Sequence, residues 1–167
     1  MSIISYDRQS ALQYALKWAR GRNPAYTDFS DLGGDCTNFV SQCVYAGSGV
    51  MNFSPVTGWY YISSYDRAPA WTGVEFFFDF MVNNNGPGPF AVEVTEKEID
   101  IGDVVQFASP SSPRFNHALI VTGIIPYPKP LILVSAHTND ALMRPLSTYR
   151  YREIRFLHIE GVRTQTP

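Results

Sequence analysis

The stretch Gly33–Gln42 reads GGDCTNFVSQ, and it predicts a helix that carries a cysteine at its first position. Two glycines end a loop, and Asp35 then suits the N-cap position, where its side chain would accept backbone N–H bonds of the first turn. Cys36 would follow as the first helical residue. Because the N-terminal end of the helix dipole favours negative charge, we expect the thiol pKa to lie below its free value of about 8.5. The stretch therefore indicates a candidate nucleophile.

The bulk composition restricts the class of protein. The chain has 167 residues, 45% of them hydrophobic, which suits one domain over residues 1–167. Its net charge of -2 indicates no basic face, so nucleic acid is not expected as a partner. The apolar runs are too short for a membrane span. No signal peptide is recognisable, which leaves the compartment open between a cytoplasmic protein and one domain of a longer secreted one.

The two cysteines are predicted to be free thiols. If Cys36 and Cys43 lie in one helix, from Cys36 to about Gly47, their Cα atoms are separated by roughly 10 Å. A disulfide requires less than about 7 Å. The pair therefore indicates nothing about an oxidising compartment.

Helical patterns come first along the chain and strand patterns follow. This segregation predicts an α+β fold, with N-terminal helices packed on an antiparallel β-sheet. The first helix, about 6–20, is expected to bury Leu12, Ala15, Leu16 and Ala19. Thr72 and Glu75 have the spacing of a capping box, which predicts a third helix ahead of four apolar residues. The predicted strands are 103–108, 117–125, 131–137 and 154–160.

Two histidines have a spacing that suggests a site. In a hairpin symmetric about Tyr127, His117 and His137 would be directly opposed, with Cβ atoms about 4.5–5.5 Å apart on one face. A shift of one residue would separate them. One imidazole would then take the thiol proton and the other would orient it, as in a catalytic triad. Asn139 or Asp140, just beyond His137, are the alternative orienters.

The segment between the cysteine and these histidines is rich in aromatic residues. Trp59 and Tyr60 are candidates for lining a substrate groove, although core packing is the commoner role of such side chains. A zinc site built from the two histidines and a nearby carboxylate is disfavoured, because neither HExxH nor CxxC spacing is present. His158 is expected to be structural.

Five blocks stand in a recognisable order: GDCTNFVSQC at 34–43, WYY at 59–61, GDVVQF at 102–107, NHALIVT at 116–122 and SAHTND at 135–140. Together they resemble the bacterial putative amidase domain family over nearly the whole chain, from Tyr6 to about Ile159. That family is placed with the papain-like cysteine hydrolases, near the NlpC-type cell-wall peptidases.

The resemblance implies a papain-like fold and hydrolysis of an amide or peptide bond, often in peptidoglycan, without metal or organic cofactor. It implies Cys36 as nucleophile, His117 as general base and then acid, and His137 as orienter. It also suggests a secreted or cell-wall associated protein. The backbone N–H of Cys36 would be one donor to the oxyanion. The second is open, because Ser30 stands where papain has a glutamine.

The leading hypothesis is therefore a cysteine amidase or peptidase that acts through a thioester on a peptide or amide substrate. A second is a non-catalytic module on the same fold that binds cell-wall peptides, since a fold does not fix function. A third is an acyltransferase, which would use the same thioester with a different acceptor.

Overall fold

A computed structural model describes residues 1–126 and 128–165. The predicted centre of the hairpin turn, Tyr127, lies outside the described residues. No helix in the described part of the chain is long and apolar enough to cross a membrane. In chain order the elements are β1 (Ser2–Ile4), α1 (Arg8–Trp18), α2 (Cys36–Ser48), β2 (Tyr61–Ser63), β3 (Asp66–Arg67), α3 (Pro69–Thr72), α4 (Val74–Asn83), β4 (Gly88–Val94), β5 (Val104–Ala108), β6 (His117–Ile125), β7 (Leu131–Ala136), β8 (Ala141–Pro145) and β9 (Glu153–Thr164).

An antiparallel sheet of seven strands forms the centre of the fold, which confirms the predicted α+β class. Its order is β1-β9-β5-β6-β7-β8, and β4 pairs with β9 as well. The long strand β9 therefore pairs with three strands: β1 at its end, β5 at its start, and β4 along most of its length. The four predicted strands are present as β5, β6, β7 and β9.

Helix α2 is the most deeply buried helix and packs on one face of this sheet, against β6. It begins at Cys36, as predicted, and is followed by Gly49 at φ 65, a left-handed conformation that glycine adopts without strain. Both thiols are free, as predicted, and both are buried. The sheet face under α2 and the opposite face carry two separate clusters of buried side chains.

The buried stripe of α1 differs from the predicted one. Ala11, Ala15 and Ala19 are fully buried, whereas Leu16 is 42% exposed. These alanines are four residues apart and form one line along the helix. Because they have small side chains, α1 lies close against α2, and Leu16 turns outward while Leu12 is half-buried. The predicted burial of Ala15 and Ala19 is confirmed, whereas that of Leu16 was wrong, because the close contact with α2 requires small side chains.

The third predicted helix is present as α4, but its predicted cap is wrong. Gly73 occupies the N-cap position, and no side chain caps the helix. Thr72 ends the short helix α3 and accepts a hydrogen bond from Arg67 Nε. Glu75 pairs with Arg155 on β9 instead of reaching back to the backbone.

A buried carboxylate, Asp103, ties the start of β5 to two distant segments. Oδ1 accepts hydrogen bonds from Arg8 Nη1 at 2.7 Å and from the backbone N–H of Ile159 at 2.9 Å. Oδ2 lies 2.7 Å from His158 Nδ1 and accepts from the backbone N–H of Asp100. These contacts give His158 a structural role, as expected from the sequence.

Candidate active site

Cys36 lies at the start of α2 with 8% of its surface exposed. Burial raises the pKa of its thiol, and the backbone N–H of Ala118 and the hydroxyl and backbone N–H of Thr37 oppose that effect only in part. The expected lowering of the thiol pKa is therefore wrong. A buried thiolate loses its hydration, and this loss outweighs the helix-end field.

Asp35 occupies the N-cap position of α2, but its carboxylate does not cap the helix. Oδ1 accepts hydrogen bonds from the backbone N–H of Phe29 and from Asn38 Nδ2, both at 2.8 Å. Oδ2 lies 2.5 Å from His137 Nδ1 and 3.7 Å from Arg22 Nε. The predicted capping bonds are therefore wrong, because these groups already use the carboxylate.

His137 is buried, with 1% of its surface exposed, and both ring nitrogens are occupied. Nδ1 meets Asp35, Nε2 lies 2.8 Å from the backbone carbonyl of Trp18, and the ring stacks on Phe39 at 4.0 Å between centroids. A carbonyl oxygen only accepts, so Nε2 must carry a proton. No ring nitrogen is left to orient His117.

The register of β6 and β7 separates the two histidines. Ile120 lies opposite Ser135, whereas a hairpin symmetric about residue 127 would place Val134 there. The observed register differs from the symmetric one by two residues near the turn, where Gly123 lies opposite Leu133, and by one residue at Ile120, toward the histidines. A one-residue shift moves side chains to the other face of a sheet. The direct opposition of His117 and His137 is therefore wrong. A register irregularity between Val121 and Gly123 accompanies the shift.

His117 begins β6 and lies on the sheet face away from α2. It is paired with Phe107 of β5, and their rings are 5.0 Å apart in an edge-to-face arrangement. The ring of Tyr149 is 6.3 Å away. Burial, assisted by the charge of Arg144, lowers the pKa of His117 to about 4. The imidazole is therefore neutral near pH 7 and able to accept a proton.

The turn before α2 lies where β6 and β7 separate. On the β7 side, the backbone N–H of Asp35 donates to Thr138 Oγ1 at 3.0 Å. On the β6 side, the Cys36 sulfur lies beside the backbone N–H of Ala118, the residue after His117. Because His117 directly precedes Ala118, its backbone lies near the sulfur as well. The thiol and the candidate base thus come from adjoining points of α2 and β6.

The two aromatic candidates for the groove have different environments. Trp59 is fully buried in the core and donates from Nε1 to Ser41 Oγ at 3.0 Å, so its predicted place in a groove is wrong. Tyr60 is partly exposed, and its ring lies 5.5 Å from that of Phe53. A substrate contact of Tyr60 stays a prediction.

The remaining polar candidates lie around the turn after β7. Asn139 is exposed, with a backbone φ of 60. Asp140 is held by Arg22 through contacts of 2.9 and 3.0 Å, which occupy both carboxylate oxygens. Ser30 donates to Asp28 and accepts from Arg22 Nη2, so its hydroxyl is already in use. Within residues 1–126 and 128–165, no three His, Cys, Asp or Glu side chains form a group that could hold a metal ion.

Sequence reasoning missed the pairing of Asp35 with His137 and the place of Arg144 near His117. One signal was present for the register: Gly123 lies inside a strand pattern, and an isolated glycine there suggests a bulge. The pairing had no local signal, because its two members are 102 residues apart.

The fold and the site define an α+β protein with a buried cysteine at a helix start, adjoining a histidine at a strand start. Residues 5–159 match the family model of the putative amidase domain, and the chain belongs to that family. It is 40% identical over 145 residues to an uncharacterized protein of Bacillus subtilis (strain 168), YhbB. That match covers 84% of this chain and 44% of YhbB, so the chain spans less than half of its relative. No solved structure matches.

Proposed function

We propose that this protein hydrolyses an amide or peptide bond, with Cys36 as the nucleophile and His117 as the general base. The observation that carries the proposal is the position of the Cys36 sulfur, at the start of α2 and beside the β6 backbone that follows His117. Membership in the putative amidase domain family supports the reaction class.

The resting pair is a neutral thiol and a neutral imidazole, because the pKa of Cys36 is raised and that of His117 is lowered. Proton transfer therefore accompanies attack: the imidazole of His117 turns around the start of β6 from the sheet face away from α2, and the thiol proton moves to it as the sulfur bonds the substrate carbonyl carbon. His117 then gives this proton to the leaving amine as the C–N bond breaks. Water attacks the thioester, releases the acid and restores the thiol. The backbone N–H of Cys36 is the first donor to the oxyanion.

His137 acts in this scheme as a positioning residue. It holds Asp35, the residue before the nucleophile, and it fixes that carboxylate against the end of α1 through the Trp18 carbonyl. The turn that presents Cys36 is thereby attached to β7 and α1 at once. This role replaces the triad orienter that the sequence suggested.

We also propose that the protein is related to the papain-like, NlpC-type peptidases and that its substrate comes from the cell wall. The order of elements supports it: the cysteine opens a helix, and a histidine opens a later strand of an antiparallel sheet. Peptides from peptidoglycan are therefore the first substrates to test, beside simple peptide amides.

The test combines hydrolysis with trapping of the thioester. Wild type, Cys36→Ala and His117→Gln are incubated with these substrates, and products and the acyl-enzyme are followed by mass spectrometry. Cys43→Ala is the matched control, because Cys43 is fully buried inside the same helix, away from the site. We expect loss of turnover in the first two variants only. Full activity of Cys36→Ala would overturn the proposal.

The same assay separates the alternatives. Amine added as a competing acceptor would yield a transfer product at the expense of hydrolysis if the protein is an acyltransferase. Binding of peptide by wild type without product or acyl-enzyme would favour the binding module.

A further inference from the structure

Arg144 is positioned on the same sheet face as His117. It lies on β8 opposite Val134, and Val134 belongs to the core cluster on the face away from α2. The side chain of Tyr149, from the segment after β8, packs against that cluster. Arg144 and Tyr149 therefore stand on the side of the sheet from which His117 is accessible.

The guanidinium of Arg144 is held in place by its surroundings. Nε donates to Thr148 Oγ1 at 2.7 Å, and Nη2 donates to the Thr148 carbonyl at 3.1 Å. The guanidinium carbon lies 3.8 Å from the centroid of the Tyr149 ring, a stacked cation–π arrangement. Little side-chain freedom is left to lose on binding a ligand, and such preorganisation favours affinity.

This guanidinium has no acidic partner among the residues that the structure describes: no carboxylate oxygen lies within 4.0 Å of it. Within the same described residues, four of the nine other arginines have one, namely Arg8, Arg22, Arg152 and Arg155, so the feature particular to Arg144 is its fixed position beside His117. A fixed, planar guanidinium is the side chain best suited to bind a carboxylate through two parallel hydrogen bonds. Arg144 is thus positioned to bind the anionic group of a ligand, since no carboxylate of the described residues pairs with it.

The hydroxyl of Tyr149 gives a second observation at the same place. It is buried, and within the described residues it has no well-directed hydrogen-bond partner. The Arg144 guanidinium stacks over the ring face rather than in line with the hydroxyl, which explains the missing bond. A buried polar group without a partner is uncommon in proteins. This hydroxyl is covered by its neighbours, so the partly exposed Arg144 is the group that a ligand would contact.

We propose that Arg144, held over the ring of Tyr149, forms a subsite for a carboxylate of the substrate, beside the His117 base. The preferred substrates are then amides or peptides that bear a free carboxylate near the bond that is cleaved. The subsite rests on the proposed function for its relation to catalysis. Its existence as a carboxylate site rests only on the contacts of Arg144 and Tyr149.

The test compares two probes that differ in one charge: N-acetyl-alanyl-alanine and its C-terminal amide. Binding to wild type is followed by NMR titration of the histidine ring signals, with Arg144→Gln as the test variant. Arg150→Gln is the matched control, because it removes an exposed arginine six residues away. Wild type and the control should bind the acid about tenfold more tightly than the amide, the usual effect of one charge-assisted pair. Arg144→Gln should bind the two probes equally.

Equal binding of the two probes by wild type, or no binding of either, would overturn the subsite. A preference for the acid that survives in Arg144→Gln would overturn it too. The hydrolysis assay on Cys36→Ala is independent of this comparison. If that variant remains fully active while the acid preference depends on Arg144, the proposed nucleophile fails and the carboxylate subsite stands.

Discussion

Replacing His137 by glutamine should destabilise the fold strongly, because it leaves a carboxylate buried without its closest partner. Asp35 is 1% exposed and loses its contact with Nδ1, while the Trp18 carbonyl loses its donor. Removing one member of a buried ion pair costs about 3–5 kcal/mol. Two donors to Asp35 remain, from Phe29 and Asn38, so we expect the lower end, about 3 kcal/mol. For a chain of this length that corresponds to a fall in Tm of about 6–12 °C.

The assay is denaturant unfolding followed by tryptophan fluorescence, on His137→Gln, Asp35→Asn and the double variant. The double variant contains no buried charge from this pair, so it should be more stable than the sum of the single effects by about 1–3 kcal/mol. His158→Gln is the matched control. It removes the same kind of contact with a buried aspartate, Asp103. Because 31% of the His158 side chain is exposed, this substitution should lower the free energy of unfolding less than His137→Gln does.

One result would refute this reasoning. The free energy of unfolding of His137→Gln could lie within about 0.5 kcal/mol of wild type, with no coupling in the double variant. The pair of Asp35 and His137 would then not fix the turn before Cys36. A loss of kcat in such a stable variant would show that His137 supports the site by a route other than this pair.

Three further predictions follow from the same contacts. His117 has a folded-state pKa of about 4, so the unfolded chain binds a proton at this residue before the folded chain does as the pH falls. The free energy of unfolding of wild type should therefore decrease by up to about 3 kcal/mol between pH 6.5 and 4. The difference in unfolding free energy between wild type and His117→Asn measures this loss, and a constant difference across that window would contradict it. Cys36 should react slowly with iodoacetamide, and the pH at which its rate is half-maximal should lie above that of the same cysteine in the urea-unfolded chain. A lower half-maximal pH would instead support the activated thiolate expected from the sequence. Asp103→Asn should lower stability by about 3 kcal/mol, because Arg8 then loses its buried partner; an unchanged denaturation midpoint would show that the Asp103 contacts contribute little.

The elements with strong patterns were predictable, and those that depend on distant partners were not. Helix α2 could be placed from Cys36 to its end because glycines flank it and apolar residues recur at helical spacing. The short strand β1 has no pattern of its own, since only pairing with β9 makes it a strand. Strand β8, at the sheet edge, was missed for the same reason.

The catalytic roles of Cys36 and His117 stay predictions, whereas the predicted arrangement with His137 directly opposite His117 was wrong. Residue type and local position make Cys36 and His117 candidates, and the starts of α2 and β6 that carry them lie near one another. The partner of His137 depends on a register that differs by one residue from the symmetric hairpin. The raised thiol pKa depends on burial by the whole core, a sum over many distant contacts that a local helix-end argument leaves out.

The position of β9 has a consequence for the order of folding during synthesis. Strands β1, β4 and β5 each use β9 as a neighbour, and its pairing with β1 joins Ser2 to Thr164. Until the ribosome has released residues 153–164, these three strands lack a shared partner and expose unpaired edges. Contacts so distant in sequence slow folding and lengthen the exposure of such edges to aggregation. Among the strands of this sheet, the one made last thus closes it, and chaperone demand for this domain should peak just before β9 emerges.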